Sequence, residues 1–306
     1  MINHLLTSAF PSYDTIPSDS HKGHFGRALI VAGSAGMSGA AYMATRGAEL
    51  AGAGLVVCLT PEEILPFVAP RLTGALVYPL SADLLAEQVR IATAVVFGCG
   101  MGQNVRVLNY LKTILDKAMC PVVIDADGLN VLSQPEILRT GMNTGERTGA
   151  AVDLLKSTHC PVIVTPHEGE MARLAGVDRD YIHRTRRISC EAFADLANVT
   201  VVLKGEGTLV SSRHEETYIN NTGSWGMAKG GAGDILAGFI GGIAARGIDP
   251  YAAACAGVYL HGFAGDLAAQ EKGRYSMGAE DVLEYLPEAV CRMQNDKCKM
   301  KDEFYN

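Results

Sequence analysis

RALIVAGSAGMSGAAYMATRGAELA, residues 27 to 51, runs from an apolar, β-branched segment through a glycine-rich turn into an apolar helical pattern over 38 to 51. A strand without polar alternation, followed at once by a helix, belongs in a parallel sheet covered on both faces. The unit recurs along the chain. GLVVCLT (54–60), AVVFG (94–98), PVVIDA (121–126), PVIVT (161–165) and TVVLKG (200–205) read as further strands, with helical stretches such as 104–117 and 179–197 between them. After residue 205 the pattern changes: TLVSS (208–212) and ETYIN (216–220) read as a short antiparallel meander, and long helices follow over 232–245, 250–271 and 279–293. The expected fold class is therefore α/β, a three-layer α/β/α sandwich with a mostly parallel central sheet and an antiparallel edge.

The chain has 306 residues, 48% of them hydrophobic, which is ample for a core and excludes disorder for most of its length. No linker or internal repeat divides it. The expected organisation is one catalytic domain over 23–295, with an N-terminal arm of uncertain order over 1–22, a mobile glycine-rich loop at 141–150 and a frayed tail over 296–306. A net charge of −7 supplies no basic field for nucleic acid. The short cluster Arg184 to Arg187 reads as a solvated helix face. The 8 cysteines contain no C-x-x-C pair and mostly sit in apolar stretches, as reduced core cysteines do. The N-terminus has neither a basic start nor a long apolar segment, so no membrane span is expected and a cytoplasmic location is.

In open parallel sheets, ligands bind beyond the carboxyl ends of the strands. Here those ends carry GSAGMSGA (33–40), GCGMG (98–102), Asp125-Ala-Asp127-Gly128-Leu-Asn130, Thr165-Pro-His-Glu-Gly-Glu170 and Lys204-Gly-Glu-Gly-Thr208. Carboxylates at strand ends cost desolvation unless paired or wet, so their recurrence points to a site. His167 reads equally as a helix cap or a ligand contact, Glu168 and Glu170 also suit a helix start, and Lys204 is either a surface charge or a nucleotide contact.

The stretch NTGSWGMAKGGAGDILAG (221–238) adds a glycine run ending at Asp234, where a helix begins. Close backbone approach and the free N–H groups of a helix start favour an anion, which makes Gly230, Gly231, Ala232 and Gly233 a candidate anion hole. Asp234 has two readings, a carboxylate that satisfies the helix dipole and a general base beside a transferring phosphoryl group.

Together HKGHFG (21–26), GSAGMSGA, GCGMG, DADGLN, TPHEGE, LKGEGT and NTGSWGMAKGGAGDILAG resemble the ADP- or ATP-dependent NAD(P)H-hydrate dehydratases of the ribokinase-like superfamily, in order, from about residue 21 to 286. The resemblance implies a lyase that repairs (S)-NAD(P)H hydrate to NAD(P)H, phosphorylating the C6 hydroxyl and eliminating phosphate. It implies Asp234 as catalytic base; Ala40, Gly102, His167 and Asp234 as substrate contacts; and Lys204, Gly205, Glu206, Gly207, Thr208 and Gly233 as nucleotide contacts. Mg²⁺ would bridge the phosphates, positioned through water by Glu170, and ADP is favoured over ATP. Homo-oligomers, commonly homotetramers, are implied, with a separate epimerase protein supplying the S epimer, since nothing of the family's frequent epimerase domain is present. Two departures stand out: Gly98-Cys99-Gly100 replaces the more usual Gly-Pro-Gly, and an insertion lies around 139–150. A ribokinase-like vitamin kinase would share the Gly-Asp device and release a stable phosphorylated product; a non-catalytic adenine-nucleotide binder would keep the fold without needing Asp234.

Overall fold

The computed structural model of the chain describes residues 2–11, 16–134 and 144–304. Among them are nine strands: β1 (Arg27–Val31), β2 (Leu55–Thr60), β3 (Leu76–Pro79), β4 (Ala94–Phe97), β5 (Val122–Ile124), β6 (Val162–Val164), β7 (Thr200–Leu203), β8 (Leu209–Ser211) and β9 (Tyr218–Ile219). They form one sheet in the order β3-β2-β1-β4-β5-β6-β7-β8-β9. Pairing is parallel from β3 to β7 and antiparallel at β8 and β9. The helices are α1 (Ile2–Ala9), α2 (Ser38–Leu50), α3 (Leu65–Val68), α4 (Ala82–Ile91), α5 (Val105–Lys117), α6 (Asp127–Ser133), α7 (Thr144–Lys156), α8 (Glu168–Ala175), α9 (Arg179–Arg184), α10 (Arg186–Ala197), α11 (Ala232–Ala245), α12 (Pro250–Lys272) and α13 (Ala279–Phe304).

The three layers follow from the apolar strands. On β1, Ala28 and Ile30 enter one core with α2, α11 and α12, while Leu29 and Val31 enter another with α5 and α10. Successive side chains point to opposite faces, so a strand apolar throughout fills both cores at once. In the first core α11 lies directly on α2. A side-chain carbon on Gly238 would fall 1.9 Å from the Ala44 carbonyl oxygen, so glycine is what lets the two backbones meet. The strand order reverses direction between β1 and β4, with α2 leaving toward one face and α5 toward the other; a crevice opens there at the carboxyl edge.

Several expectations change. Strand β3 was not read in the sequence: it is an edge strand, mostly exposed, and ends in a proline. The 179–197 helix is two helices, parted at Thr185, whose hydroxyl turns back to the Tyr181 carbonyl. Residues 141–143 of the expected mobile loop lie outside the described residues; from Thr144 the chain is helical, because Ala151, Val152 and Leu155 reach the second core. The expected N-terminal arm contains α1, which with Phe10 inserts Leu6 and Ala9 into the first core. Helix α13 continues past residue 295 to Phe304. Among the described residues no helix is long and apolar enough to cross a membrane.

Candidate active site

The strand ends are tied together by their backbones before any side chain is considered. The Gly33 amide donates to the Cys99 carbonyl at 2.8 Å, and the Ser34 hydroxyl to the Gly100 carbonyl at 2.7 Å, joining the β1 and β4 loops across the crevice. Asp125, Thr165 and Lys204 donate in turn to Phe97, Ile124 and Pro166, so the loops after β4, β5, β6 and β7 form one rim. Gly98 sits at φ +117°, and a side-chain carbon there would lie 2.1 Å from the Asp125 carbonyl oxygen. That closeness is what brings β4 and β5 loops into one site.

Ala126 holds φ 49°, ψ −117°, a strained backbone for a residue with a side chain. The strain turns its two neighbours to different tasks. Asp127 accepts from the Gly102 amide at 2.8 Å and from Gln103 at 3.0 Å, fixing the β4 loop. Asp125, 1% exposed, accepts from Lys204 Nζ at 2.6 Å. Lys204 is also 3.9 Å from Glu170 Oε2, and its side chain is 18% exposed. Burial alone would depress the Lys204 pKa; the Asp125 and Glu170 carboxylates outweigh it and raise it. Burial raises the Glu170 carboxyl, and Lys204 works against that rise. Lys204 is thus a partly buried cation inside the site, not a surface charge.

Helix α11 begins beside this pair. Its N-cap is Gly231 at φ 95°, and among the described residues no side chain caps it. Its positive end therefore faces the crevice unserved, as an anion site requires. Asp234, the third residue of the helix, has its pKa raised to about 6, first by burial and then by Asp125, with the Cys99 hydrogen bond and Lys204 opposing. A carboxylate satisfying only a helix dipole would be pushed the other way; this one is poised to take a proton near neutrality.

His167 takes the cap role. Its Nδ1 accepts from the Gly169 and Glu170 amides at 2.9 and 3.2 Å, and Glu170 Oε2 accepts from the His167 amide, a reciprocal cap on α8. The ring proton must then sit on Nε2, and the side chain remains 55% exposed. Burial, followed by Lys204, lowers its pKa, so it presents a neutral N–H donor. Glu168 turns away and accepts from Arg186 Nη1 at 3.1 Å, while Arg186 Nη2 reaches the carbonyls of Leu203 and Gly207. Arg186 is therefore a clamp on the 204–208 turn, which corrects the reading of its cluster as a solvated helix face: its side chain is 19% exposed, against 60% for Arg187.

The fold brings Ala40, Gly102, His167, Glu170, Lys204 to Thr208, Gly230 to Gly233 and Asp234 to the same carboxyl edge. HKGHFG lies at the other edge, ahead of β1, where Gly54 packs on Lys22 and Gly26 on Ala245. Two neighbours of the site, Asp125 and Cys99, were named in the strand-end motifs but given no individual role from sequence. Among the described residues, Cys99, Asp125 and Asp234 are the one set of potential metal-binding side chains that converge, within 4.8 Å of one another. The set does not fit a hard cation, because one member is a neutral buried thiol and another is held by an ammonium.

A family model described as NAD(P)H-hydrate dehydratase matches residues 28–288. The ADP-dependent (S)-NAD(P)H-hydrate dehydratase of Neisseria meningitidis is 38% identical over 256 residues, 83% of this chain and 81% of that protein. The bifunctional NAD(P)H-hydrate repair enzyme of Moorella thermoacetica is 33% identical over 91% of this chain and 52% of its own length. The chain spans about half the length of the first curated relatives it matches. The crystal structure of an ADP/ATP-dependent NAD(P)H-hydrate dehydratase from Bacillus subtilis, co-crystallised with ATP and Mg²⁺, superposes with a TM-score of 0.80 at 30% identity, covering 96% of this chain and 97% of that one.

Proposed function

The chain belongs to the NAD(P)H-hydrate dehydratase family, and on that premise we propose that it converts (S)-NAD(P)H hydrate to NAD(P)H at the expense of ADP or ATP. The observation that carries this reading is Asp234, a carboxyl with its pKa raised to about 6 at an uncapped, glycine-lined helix start. In the forward direction Asp234 takes the proton of the C6 hydroxyl while that oxygen attacks the terminal phosphorus, and the shortened nucleotide leaves. The amides of Gly230 to Gly233 stabilise the charge on the moving phosphoryl group. The ring nitrogen's lone pair then breaks the C6–O bond and expels phosphate, and loss of the C5 proton completes the dihydropyridine.

The remaining residues hold the two ligands. His167 offers its Nε2–H, and Ala40 and Gly102 line the dinucleotide side of the crevice, while Lys204 to Thr208 and Gly233 face the adenine nucleotide. Mg²⁺ would be carried on the nucleotide phosphates, neutralising their charge. Glu170 would reach it only through water, since the His167 amide already engages Oε2 and the His167 ring stands 3.5 Å from Oε1. ADP as the preferred donor, self-association as a homotetramer and supply of the S epimer by a separate epimerase belong to the same proposal.

The test is recovery of the dihydronicotinamide absorbance from hydrated NADH and hydrated NADPH with Mg²⁺ and either ADP or ATP. The expected result is recovery dependent on the nucleotide. No recovery with either donor, from folded protein, overturns the reading; accumulation of a stable phosphorylated product would instead identify a kinase.

A further inference from the structure

The Gly98-Cys99-Gly100 loop puts a thiol at the candidate base. Cys99 is fully buried, and its carbonyl is fixed by the Gly33 amide, so the residue cannot swing out of the crevice. Its Sγ lies within 4.8 Å of carboxylate oxygens of both Asp234 and Asp125. We propose that Cys99 is a positioning residue for the reaction, whose thiol proton is donated to the Asp234 carboxylate and aims it at the substrate hydroxyl. The inference rests on Asp234 being the base.

The direction of the bond is set by chemistry. Burial, and then the Asp234 charge, push the Cys99 thiol well above its ordinary range, so it stays protonated and donates while the carboxylate accepts. The Lys204 ammonium engages Asp125 Oδ1 and offsets that carboxylate's charge, which makes Asp125 the weaker acceptor of the two. The charged groups facing Asp234 are Asp125 and Asp127, which raise its pKa, and Lys204, which lowers it together with the Cys99 bond. His261 stands behind the same helix start, against the backbone of Ala232. A thiol is a weak donor, but beside a carboxylate shielded from most of the solvent a single hydrogen bond biases which way that carboxylate points. Proline, the usual residue here in the related pattern, donates nothing, so this chain holds its base differently.

The experiment compares wild type, Cys99→Ala and Cys99→Ser in the full chain. In Cys99→Ala the acid limb of the kcat/KM profile should move up by about half a pH unit to one unit, with kcat reduced and the nucleotide KM little changed; Cys99→Ser should restore the limb. An acid limb that stays in place in Cys99→Ala overturns the proposal. A second readout does not depend on turnover: the S–H stretching band of Cys99, isolated as wild type minus Cys99→Ala, should move toward the free-thiol position in Asp234→Ala, and an unmoved band overturns the hydrogen bond. Absence of all dehydratase activity in wild type would defeat the functional reading and leave the S–H measurement to report on the bond alone.

Discussion

Lys204 Nζ donates to Asp125 Oδ1 across 2.6 Å, directly beneath the start of α11. A side-chain carbon on Gly233 would lie 3.3 Å from that nitrogen and 3.7 Å from Asp125 Oδ2. The pair binds the ends of β5 and β7 beside the start of α11, and Asp125 is nearly inaccessible to water. Removing the lysine leaves a buried carboxylate without its partner. Lys204→Ala is therefore expected to cost about 3 to 5 kcal/mol in urea unfolding and to raise the nucleotide KM. Adding Asp125→Asn should recover part of the stability but not the KM. A Lys204→Ala protein with unchanged KM would remove Lys204 from the nucleotide site.

Asp234→Asn separates function from stability. Turnover should fall by roughly 10² to 10⁴, as for loss of a general base, and nucleotide binding should persist. The folded Asp234 keeps its proton up to about pH 6, against an ordinary 3.8. Between those values the folded state binds the extra proton, so stability falls as pH rises through the window and the full penalty remains above it. Neutralising the side chain should stabilise the protein at pH 7 by about 1 to 3 kcal/mol, seen as a higher Tm. Wild-type kcat/KM should rise with pH through about 6. A variant with undiminished turnover would exclude Asp234 as the base.

The sheet was legible because each central strand is apolar on both faces, and the site because glycines and carboxylates collect where such strands end. What escaped had no periodic signature. β3 is too exposed and too short to stand out, with Pro79 closing it. Cys99 stood out only as a departure from the related glycine pattern; the meeting of the β4 loop with α11, residues far apart in sequence, is what gives it a carboxylate to face. Asp125 and Asp127 look alike in the sequence, and only the strained Ala126 between them sends one to Lys204 and the other to Gly102. His167 was read as cap or contact, and the amides that Nδ1 accepts from show the cap.

Gly230 offers a test that spares the fold. A side-chain carbon there would meet nothing within 4 Å among the described residues, and its φ needs no glycine. Gly230→Ala should fold with wild-type Tm while weakening the nucleotide-dependent rate, since the methyl group would occupy only ligand space. Gly98→Ala, which collides with the Asp125 carbonyl, should instead fail to reach the native state. Unchanged kinetics in Gly230→Ala would move the phosphate away from this turn.

His261 makes the acid side of the stability curve informative. It is 7% exposed on α12, Nε2 has no hydrogen-bond partner among the described residues, and burial lowers its pKa from 6.5 to about 4, with the Ala232 backbone contact opposing. Between pH 6.5 and about 4 the unfolded chain takes a proton that the folded one refuses, so this histidine makes stability fall on acidification, by about 2 to 3 kcal/mol in all. Asp234 acts in the opposite sense across much of the same window, and the two slopes offset each other in the wild type. Each variant should expose the other. Asp234→Asn should lose stability faster than wild type as pH drops from 6.5 to 4, whereas His261→Leu, which removes an unpaired buried nitrogen, should lose it more slowly. Parallel curves for His261→Leu and wild type, measured by urea unfolding across that range, would show that His261 does not stay neutral in the fold.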